Sequence, residues 1–249
     1  MSIRAIRRAV ALAFALALCI VRYWIIRVRG PLTLEQQALW VQQSAQGILT
    51  GLGIHYRVKG QPPTRGLVVS NHLSYLDILI LSAAIPCFFI AKVEIGGWPF
   101  FGKSARIGGT IFVDRSSLAS AMSVAEQMTE RFKQTTIPVL LFPEGTSTDG
   151  SQMLRFHSRL IDPATSAGVP ITAAMVRYVI EGGEERDLCW YGDTLFLPHL
   201  LKTLGTPGFS AEVTFGEPKI YADRRVAADA TYAEIAAMRE RGAFAPQNK

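Results

Sequence analysis

Cysteine is scarce in this chain of 249 residues, and the three that occur are far apart. Cys19, Cys87 and Cys189 form no Cys-x-x-Cys pair and no cluster with histidine, so the sequence supports neither a disulfide framework nor a zinc site. All three stand among apolar residues, and we expect them to be buried, reduced thiols. The Gly-x-Ser-x-Gly motif of serine hydrolases is also missing, because Asp149 occupies the last position of the nearest match. The sequence therefore offers no motif for a serine nucleophile.

Acidic residues are absent from the first 30 positions, which hold six arginines. The remaining residues contain 20 basic and 20 acidic side chains, so the net charge of +6 belongs entirely to this first segment. A nucleic-acid-binding protein would carry its surplus charge in the folded body. Here the arginines flank an apolar run, which predicts contact with a membrane and no nucleic-acid partner.

The apolar run covers residues 9–28. Its uninterrupted part, Ala9 to Val21, would form about 20 Å of helix, which is short of a hydrocarbon core of about 30 Å. Extended to Ile26 it reaches about 27 Å, provided that Arg22 places its charge among the headgroups. No small-x-small cleavage site follows, so we expect a retained anchor and not a signal peptide. The run is compatible with a spanning helix and with an interfacial one.

Beyond this anchor, residues 34–49 have the spacing of a second, amphipathic helix. From about residue 54, short apolar runs alternate with helical stretches, which predicts an α/β fold with a single mixed sheet and helices on both faces. We therefore divide the chain into an N-terminal anchor with its amphipathic helix, residues 1–52, and a catalytic domain, residues 53–249.

Three polar segments each follow an apolar run that we expect to form a strand. They read NHLSYLD (71–77), DRSS (114–117) and PEGTSTDG (143–150). In α/β folds, ligands bind where the carboxyl ends of strands meet the loops that lead to helices. We expect these three segments to lie at one edge of the sheet.

The first segment allows two interpretations. Ser74 and Asp77 have the spacing of a capping box, with Ser74 as the N-cap of the following helix. That leaves His72 unexplained, because it precedes the cap by two residues. If the chain folds back so that Asp77 meets one imidazole nitrogen, the other nitrogen is free to accept a proton. With no serine nucleophile, such a pair fits deprotonation of a hydroxyl on a bound substrate.

The other two segments are weaker signals by themselves. Arg115 precedes a Ser-Ser helix start, and its planar guanidinium suits a phosphate, although a surface ion pair with Asp114 explains it equally well. Glu144, Gly145 and Thr146 form a proline- and glycine-rich turn whose N–H groups and hydroxyl would suit an anion or a hydroxyl.

Together the segments resemble the glycerolipid acyltransferase family, typified by 1-acyl-glycerol-3-phosphate acyltransferase. The four blocks of that family occur in order as NHLSYLD (71–77), GTIFVDR (109–115), FPEGT (142–146) and VPITA (169–173). Lys92, in the run AKVE, stands where the family often has a basic residue. The resemblance covers about residues 55 to 220, and four ordered blocks are far more specific than any one of them.

The resemblance implies a membrane-bound O-acyltransferase that converts a lysophospholipid, first of all 1-acyl-glycerol-3-phosphate, to its diacyl product. His72 would be the general base and Asp77 would orient it. The polar head would be held by Arg115, Glu144, Gly145 and Thr146, with help from Lys92. It further implies no cofactor and no metal ion, with acyl-CoA or acyl-carrier protein as the acyl donor. The location implied is a bacterial inner membrane, with the site on the cytoplasmic side.

Two departures from the family pattern concern the acceptor. Ala173 stands where many members have a second proline, and RFHSRLIDPA (155–164) replaces a Phe-Lys-x-Gly pattern. A different lysolipid, such as lyso-ornithine lipid, is the alternative acceptor. A thioesterase-like hydrolase and a membrane-binding module without activity are the competing classes of function.

Two aromatic segments, GGWPFFG (96–102) and WYGDTLFLPHLLKTL (190–204), combine rings with cations in the manner of a bilayer interface. The second segment contains Asp193 and His199, which imitate a catalytic pair. We interpret both as structural, because no other chemical signal converges on them.

Overall fold

The computed structural model describes residues 2–98, 101–114 and 118–243. Within those ranges the chain forms eight α-helices and a seven-stranded sheet. The helices are α1 (Ile3–Arg27), α2 (Leu34–Leu52), α3 (Leu76–Ala84), α4 (Phe101–Ile107), α5 (Leu118–Gln134), α6 (Asp162–Ser166), α7 (Phe196–Gly205) and α8 (Arg224–Ala243). The strands are β1 (His55–Lys59), β2 (Leu67–Ser70), β3 (Phe88–Lys92), β4 (Ile111–Val113), β5 (Val139–Leu141), β6 (Ile171–Ile180) and β7 (Phe209–Phe215).

The sheet is mixed, with the strand order β1-β7-β6-β2-β5-β3-β4. From β6 through β4 all neighbouring strands are parallel, whereas β7 runs antiparallel to β6 and pairs in parallel with β1. The carboxyl ends of β2, β5, β3 and β4 therefore share one edge, as the predicted architecture requires. The α/β prediction with a single mixed sheet is confirmed.

Helices cover both faces of the sheet, which is also as predicted. Successive residues of a strand point to opposite faces, and β2 shows the result: Val68 belongs to the core under α1, α2, α3 and α7, whereas Leu67 and Val69 belong to the core under α5, α6 and α8. All four residues of β2 are buried, as expected for a central parallel strand. Because β2 is packed on both sides, the position of its last residue, Ser70, is well defined, and the turn that carries His72 begins there.

Local sequence signals set the ends of α2. Thr33 Oγ1 accepts a hydrogen bond from Gln36 N, and Gln36 Oε1 accepts one from Thr33 N, which together form a capping box. Gly53 ends the helix with φ +66°, a left-handed conformation that glycine adopts without strain. The chain enters β1 at His55, so α2 leads directly into the sheet.

Helix α1 is long and apolar enough to cross a membrane, by length and composition. One side of it packs on α2 and α7 through small residues, among them Ala15 and Cys19. Arg8 Nη1 donates to Thr206 O (2.8 Å), Arg22 Nη1 donates to Gln43 O (3.2 Å), and Trp40 Nε1 donates to Cys19 O (3.0 Å). These bonds fasten α1 to the rest of the protein near both of its ends.

Three elements differ from the sequence prediction. Strand β1 has no apolar run because it is an edge strand with exposed and half-buried residues in alternation, so its sequence does not stand out. Helix α7 lies in the aromatic segment 190–204, to which we assigned no secondary structure, and Pro198 fits in its first turn. The segment TYAEIAAMRERGA (231–243) predicts a last helix, but helix α8 begins earlier, at Arg224.

Candidate active site

The turns that follow β2 and β5 meet at the carboxyl edge of the sheet. The two strands are adjacent and parallel, with Val69 opposite Leu141, so the chain leaves both strands at the same level. His72 N donates to Glu144 Oε1 (2.8 Å), and Thr148 N donates to His72 O (3.0 Å). Two of the three predicted polar segments are therefore in direct contact.

His72 pairs with Asp77 through its Nδ1 atom. The distance from Nδ1 to Asp77 Oδ2 is 2.8 Å, and the imidazole stacks on the Phe142 ring with the centroids 4.1 Å apart. Because a carboxylate only accepts hydrogen bonds, Nδ1 carries the hydrogen and Nε2 presents a lone pair. No hydrogen bond joins Nε2 to any described residue, and the His72 side chain is 19% exposed. The contact that the spacing predicts is present, with the second nitrogen available to a bound molecule.

Asp77 is fully buried, and both of its oxygens are hydrogen-bonded. Besides His72, Oδ2 accepts from the backbone N–H groups of Leu73 (2.6 Å) and Ser74 (3.0 Å). The hydroxyl of Tyr178 donates to Oδ1. Asp77 lies in the first turn of α3, where the helix dipole favours a negative charge. These donors compensate the charge of a carboxylate that water does not reach.

The prediction that Ser74 caps α3 is wrong. The helix begins at Leu76, and Ser74 Oγ has no hydrogen-bond partner among the described residues. Instead, the N–H of Ser74 donates to Asp77, which is the reverse half of a capping box. The N–H groups that Asp77 accepts belong to Leu73 and Ser74, which precede the helix, and no side-chain hydrogen bond caps the described start of α3. Asp77 therefore holds the turn before the helix and contacts His72 with the same oxygen.

Glu144 holds the backbone of the His72 turn. It is 4% exposed, and its second oxygen, Oε2, accepts from Leu154 N (2.8 Å). Burial raises the pKa of Glu144, while the two backbone donors oppose the shift. Gly145, with φ +76°, makes the turn that follows, a conformation that favours glycine. Each oxygen of the Glu144 carboxylate faces the protein backbone, an arrangement suited to positioning His72.

The other predicted site residues lie differently. Lys92 is the exposed last residue of β3, at the same edge of the sheet, and no hydrogen bond or ion pair in the described part of the chain joins it to His72, Asp77 or Glu144. Thr146 is exposed on the turn after β5. Arg115 lies outside the described residues.

Two side chains of the site were not found from the sequence. Phe142 supports the imidazole, and Tyr178 reaches Asp77 from β6. The available signal was the tyrosine itself, because a buried phenol needs a hydrogen-bond partner. Sequence spacing could not identify that partner, which lies 101 positions away.

His199, the histidine that imitates part of a catalytic pair, has a different environment from His72. It is buried in α7, and its Nδ1 lies 3.1 Å from the hydroxyl of Tyr75. Burial lowers the pKa of His199 and raises the pKa of Tyr75 to about 12. Asp193, the carboxylate that suggested a second catalytic pair, is exposed. The imidazole therefore pairs with a phenol, in agreement with the structural interpretation.

The remaining predicted features concern thiols and metal ligands. All three cysteines are buried and free, as predicted, and burial raises the pKa of Cys87 and Cys189. Within residues 2–98, 101–114 and 118–243, no three His, Cys, Asp or Glu side chains are grouped so that they could hold a metal ion.

A small apolar cleft of about 70 Å³ lies beside the start of α3. Tyr75 and Leu76, which follow the His72 turn directly, form part of its wall. The rest comes from α1, α2, α7 and neighbouring segments, including Leu12, Leu16 and Leu200. The cleft is lined almost entirely by apolar groups, so it suits a hydrocarbon chain.

Comparison with known proteins supplies independent findings. A family profile described as Acyltransferase matches residues 54–177. The chain is 37% identical over 174 residues to a lyso-ornithine lipid O-acyltransferase of Rhodobacter capsulatus. That alignment covers 67% of this chain and 62% of the relative. The chain is 34% identical over 157 residues to a 1-acyl-sn-glycerol-3-phosphate acyltransferase of Neisseria meningitidis, which covers 61% of each chain. The chain thus matches less than two thirds of the length of both relatives.

A solved structure has the same fold. The crystal structure of the 1-acyl-sn-glycerophosphate acyltransferase PlsC from Thermotoga maritima superposes with a TM-score of 0.70. The alignment covers 99% of this chain and all of that one, at 18% sequence identity. At this identity, the similarity establishes the fold alone.

Proposed function

Because this chain belongs to the glycerolipid acyltransferase family, we propose that it transfers a fatty acyl chain from an acyl thioester to the free hydroxyl of a lysolipid. The observation that carries the proposal is the His72–Asp77 pair, with Nδ1 bound to a buried carboxylate and Nε2 directed to no described residue. A base that is oriented by an acid and has no neighbouring nucleophile suits a reaction in which the substrate itself attacks.

The proposed reaction proceeds by direct transfer. His72 Nε2 accepts the proton of the lysolipid hydroxyl as its oxygen attacks the thioester carbonyl carbon, and Asp77 stabilises the resulting imidazolium. The tetrahedral intermediate then collapses, the carbon–sulfur bond breaks, and the imidazolium returns the proton to the leaving thiolate. The products are an ester and a free thiol, and His72 regains its starting tautomer. No step requires a metal ion or a cofactor.

The apolar cleft next to Tyr75 is the proposed site of an acyl chain. It starts at the residues that follow the His72 turn, and its walls are aliphatic and aromatic. Burial of each methylene contributes about 0.8 kcal/mol, so each carbon that the cleft encloses adds to the binding energy. Lys92, Gly145 and Thr146 are proposed to bind the acceptor head together with Arg115, which lies outside the described residues, and Glu144 is proposed to fix the turn that carries Gly145 and Thr146.

The acceptor is proposed to be one of two lysolipids. The four sequence blocks favour 1-acyl-glycerol-3-phosphate, and the Neisseria meningitidis relative carries that name. The departure at residues 155–164 and the Rhodobacter capsulatus relative favour lyso-ornithine lipid. Their head groups differ, a phosphate in one and an amino acid in the other, so an acceptor panel separates them.

We propose that residues 1–52 anchor the protein at a membrane surface, with α1 lying in the interface. One side of α1 is packed on the protein, and side chains on the other side are more than half exposed: Val10, Phe14, Val21, Trp24 and Ile25. An apolar stripe on an attached helix suits immersion in one leaflet. Leu195 and Leu197, at the start of the neighbouring α7, are also exposed and extend this surface. The proposed location is a bacterial inner membrane with the site facing the cytoplasm.

The test is acyl transfer by the purified full-length protein in phospholipid vesicles. Acyl-CoA or acyl-carrier protein is the donor, and the acceptors are 1-acyl-glycerol-3-phosphate, lyso-ornithine lipid and lysophosphatidylethanolamine. Mass spectrometry should find a diacyl product from at least one of the first two. The proposal fails if no acceptor gains an acyl chain while the thioester is hydrolysed.

A further inference from the structure

Tyr178 lies in β6, on the face of the sheet that α3 covers. It is 4% exposed, and its hydroxyl donates to Asp77 Oδ1. Its ring packs edge-on against Phe209, and its backbone N–H donates to Glu185 Oε1 (2.9 Å). The side chain is thus held from both ends, with its one polar atom directed at the carboxylate that orients His72.

We propose that Tyr178 is a positioning residue for the acyl transfer: its hydroxyl fixes the rotation of the Asp77 carboxylate so that Oδ2 faces His72 Nδ1. This inference rests on the proposed function of the His72–Asp77 pair. It extends the pair to a chain of three side chains, Tyr178–Asp77–His72, contributed by β6, the first turn of α3 and the turn after β2.

The distribution of donors around Asp77 supports this role. Three N–H groups converge on Oδ2, from His72, Leu73 and Ser74, whereas within the described residues Oδ1 has the Tyr178 hydroxyl alone. The last torsion of an aspartate is broad, so hydrogen bonds determine its orientation. Because Asp77 is fully buried, water cannot replace a lost donor, and an unsatisfied carboxylate oxygen is costly. Without the phenol, Oδ1 has no donor among the described residues, and the carboxylate is held toward His72 through Oδ2 alone, so its orientation is less well defined.

The charges nearby keep Tyr178 a donor. Burial and the charge of Asp77 raise the pKa of Tyr178 well above its ordinary value, so the phenol stays protonated. Glu185 and Cys189 also act on Tyr178, and Glu185 is itself paired with Arg239 at 2.6 Å. On the His72 side, the remaining ionisable neighbour is Glu144. These four side chains are unchanged in the variants below.

The test compares Tyr178→Phe with the wild type. The ring, its contact with Phe209 and the backbone bond to Glu185 remain, so the variant should fold. We expect kcat to fall about tenfold, with KM unchanged for donor and acceptor, since the change acts on the base and not on a substrate contact. A carboxylate that loses a donor holds the imidazolium proton more strongly, so the acid limb of the kcat/KM profile should move to higher pH.

Tyr56→Phe is the matched control. The Tyr56 hydroxyl donates to Ala83 O (3.1 Å), at the opposite end of the helix that carries Asp77. This variant also removes a phenolic hydrogen bond to α3, while the amides of Gln42 and Gln46 still donate to Ala83 O. Its kcat and its pH profile should remain those of the wild type, so a purely structural effect would be visible in both variants.

A double variant tests whether Tyr178 acts through Asp77. In an Asp77→Asn background, adding Tyr178→Phe should lower the residual kcat by less than about twofold, because the carboxylate it orients is gone. A further tenfold loss there, or a wild-type kcat and acid limb in Tyr178→Phe alone, overturns the inference. A wild-type rate in Asp77→Asn alone would instead refute the proposed function.

If Tyr178→Phe does not unfold cooperatively, 3-fluorotyrosine at position 178 replaces it. The fluorine makes the phenol a stronger donor with little change in volume. The acid limb should then move to lower pH, opposite to the shift in Tyr178→Phe. No shift with this substitution also overturns the inference.

Discussion

His72 and His199 are both tied to the turn after β2, His72 as one of its residues and His199 through its contact with Tyr75, and they have opposite properties. His72 pairs with a buried carboxylate, and its ring is partly exposed at the edge of the sheet. His199 pairs with the hydroxyl of Tyr75 and is almost completely buried in α7. Asp77 accepts a hydrogen bond from Nδ1 of His72, whereas burial lowers the pKa of His199. The partner and the exposure of the ring, and not the histidine itself, distinguish the proposed base from a packing residue.

The largest effect is expected from replacing the base. His72→Ala should lower acceptor-dependent acylation by about 10³-fold, the range that general base catalysis supplies. His199→Ala is the matched control and should retain measurable turnover at the temperature where its folded state persists. The measurement is the initial rate of ester formation in vesicles, with membrane binding checked by flotation. Near-normal turnover by His72→Ala would refute the assignment of the base.

Replacing the orienting carboxylate should have the next largest effect. Asp77→Asn should lower kcat by about 10²- to 10³-fold with little change in KM, since an amide can hold the imidazole in the wrong tautomer. Steady-state kinetics at several donor and acceptor concentrations give kcat and KM separately. An effect confined to KM would show that Asp77 binds substrate and does not orient His72.

A smaller effect is expected at Glu144, which contacts the backbone of His72 and not its ring. In Glu144→Gln the amide NH₂ must face one of two N–H donors, so one hydrogen bond is lost. We expect kcat to fall about tenfold and the free energy of unfolding to fall by about 1–3 kcal/mol. Glu234→Gln, which removes a surface carboxylate paired with Lys219, is the control and should change neither quantity appreciably. Equal effects in the two variants would argue against a positioning role.

The smallest effect concerns the pH dependence of stability. The pKa of His199 is lowered in the folded protein, so the unfolded chain takes up the proton first, near its ordinary value of about 6.5. The stability that neutral His199 contributes is therefore complete above that pH and is lost as the pH falls further. His199→Asn keeps a polar group near Tyr75 but cannot titrate. Denaturant unfolding between pH 7.5 and 5 should show a smaller loss of stability in this variant than in the wild type.

The sequence predicted the parts of the molecule that depend on short-range spacing. Apolar runs between helical stretches indicated the mixed sheet, and the polar segments after β2 and β5 do meet, because parallel strands end at one edge. The contact between His72 and Asp77 could be predicted because the two residues are only five positions apart in the sequence. The proton-transfer role of this pair stays a prediction.

What the sequence could not predict depends on distant partners. Spacing suggested Ser74 as the cap of α3, but the helix begins at Leu76, and the Asp77 carboxylate accepts from the N–H groups of Leu73 and Ser74 in the preceding turn. Glu144 looked like a ligand in a loop, and only the neighbouring strands show that its oxygens face the backbone of His72 and Leu154. The sequence of β6 does not show which group Tyr178 binds, and only the fold reveals that its hydroxyl donates to Asp77.

The central claim is that His72 activates the hydroxyl of a bound lysolipid and not water. The most direct test measures thiol release and ester formation together, with a fixed amount of acyl thioester and increasing lysolipid. We expect thiol release to require the acceptor, with one ester formed for each thiol released. Thiol release at the same rate without any lysolipid, yielding free fatty acid, would contradict it.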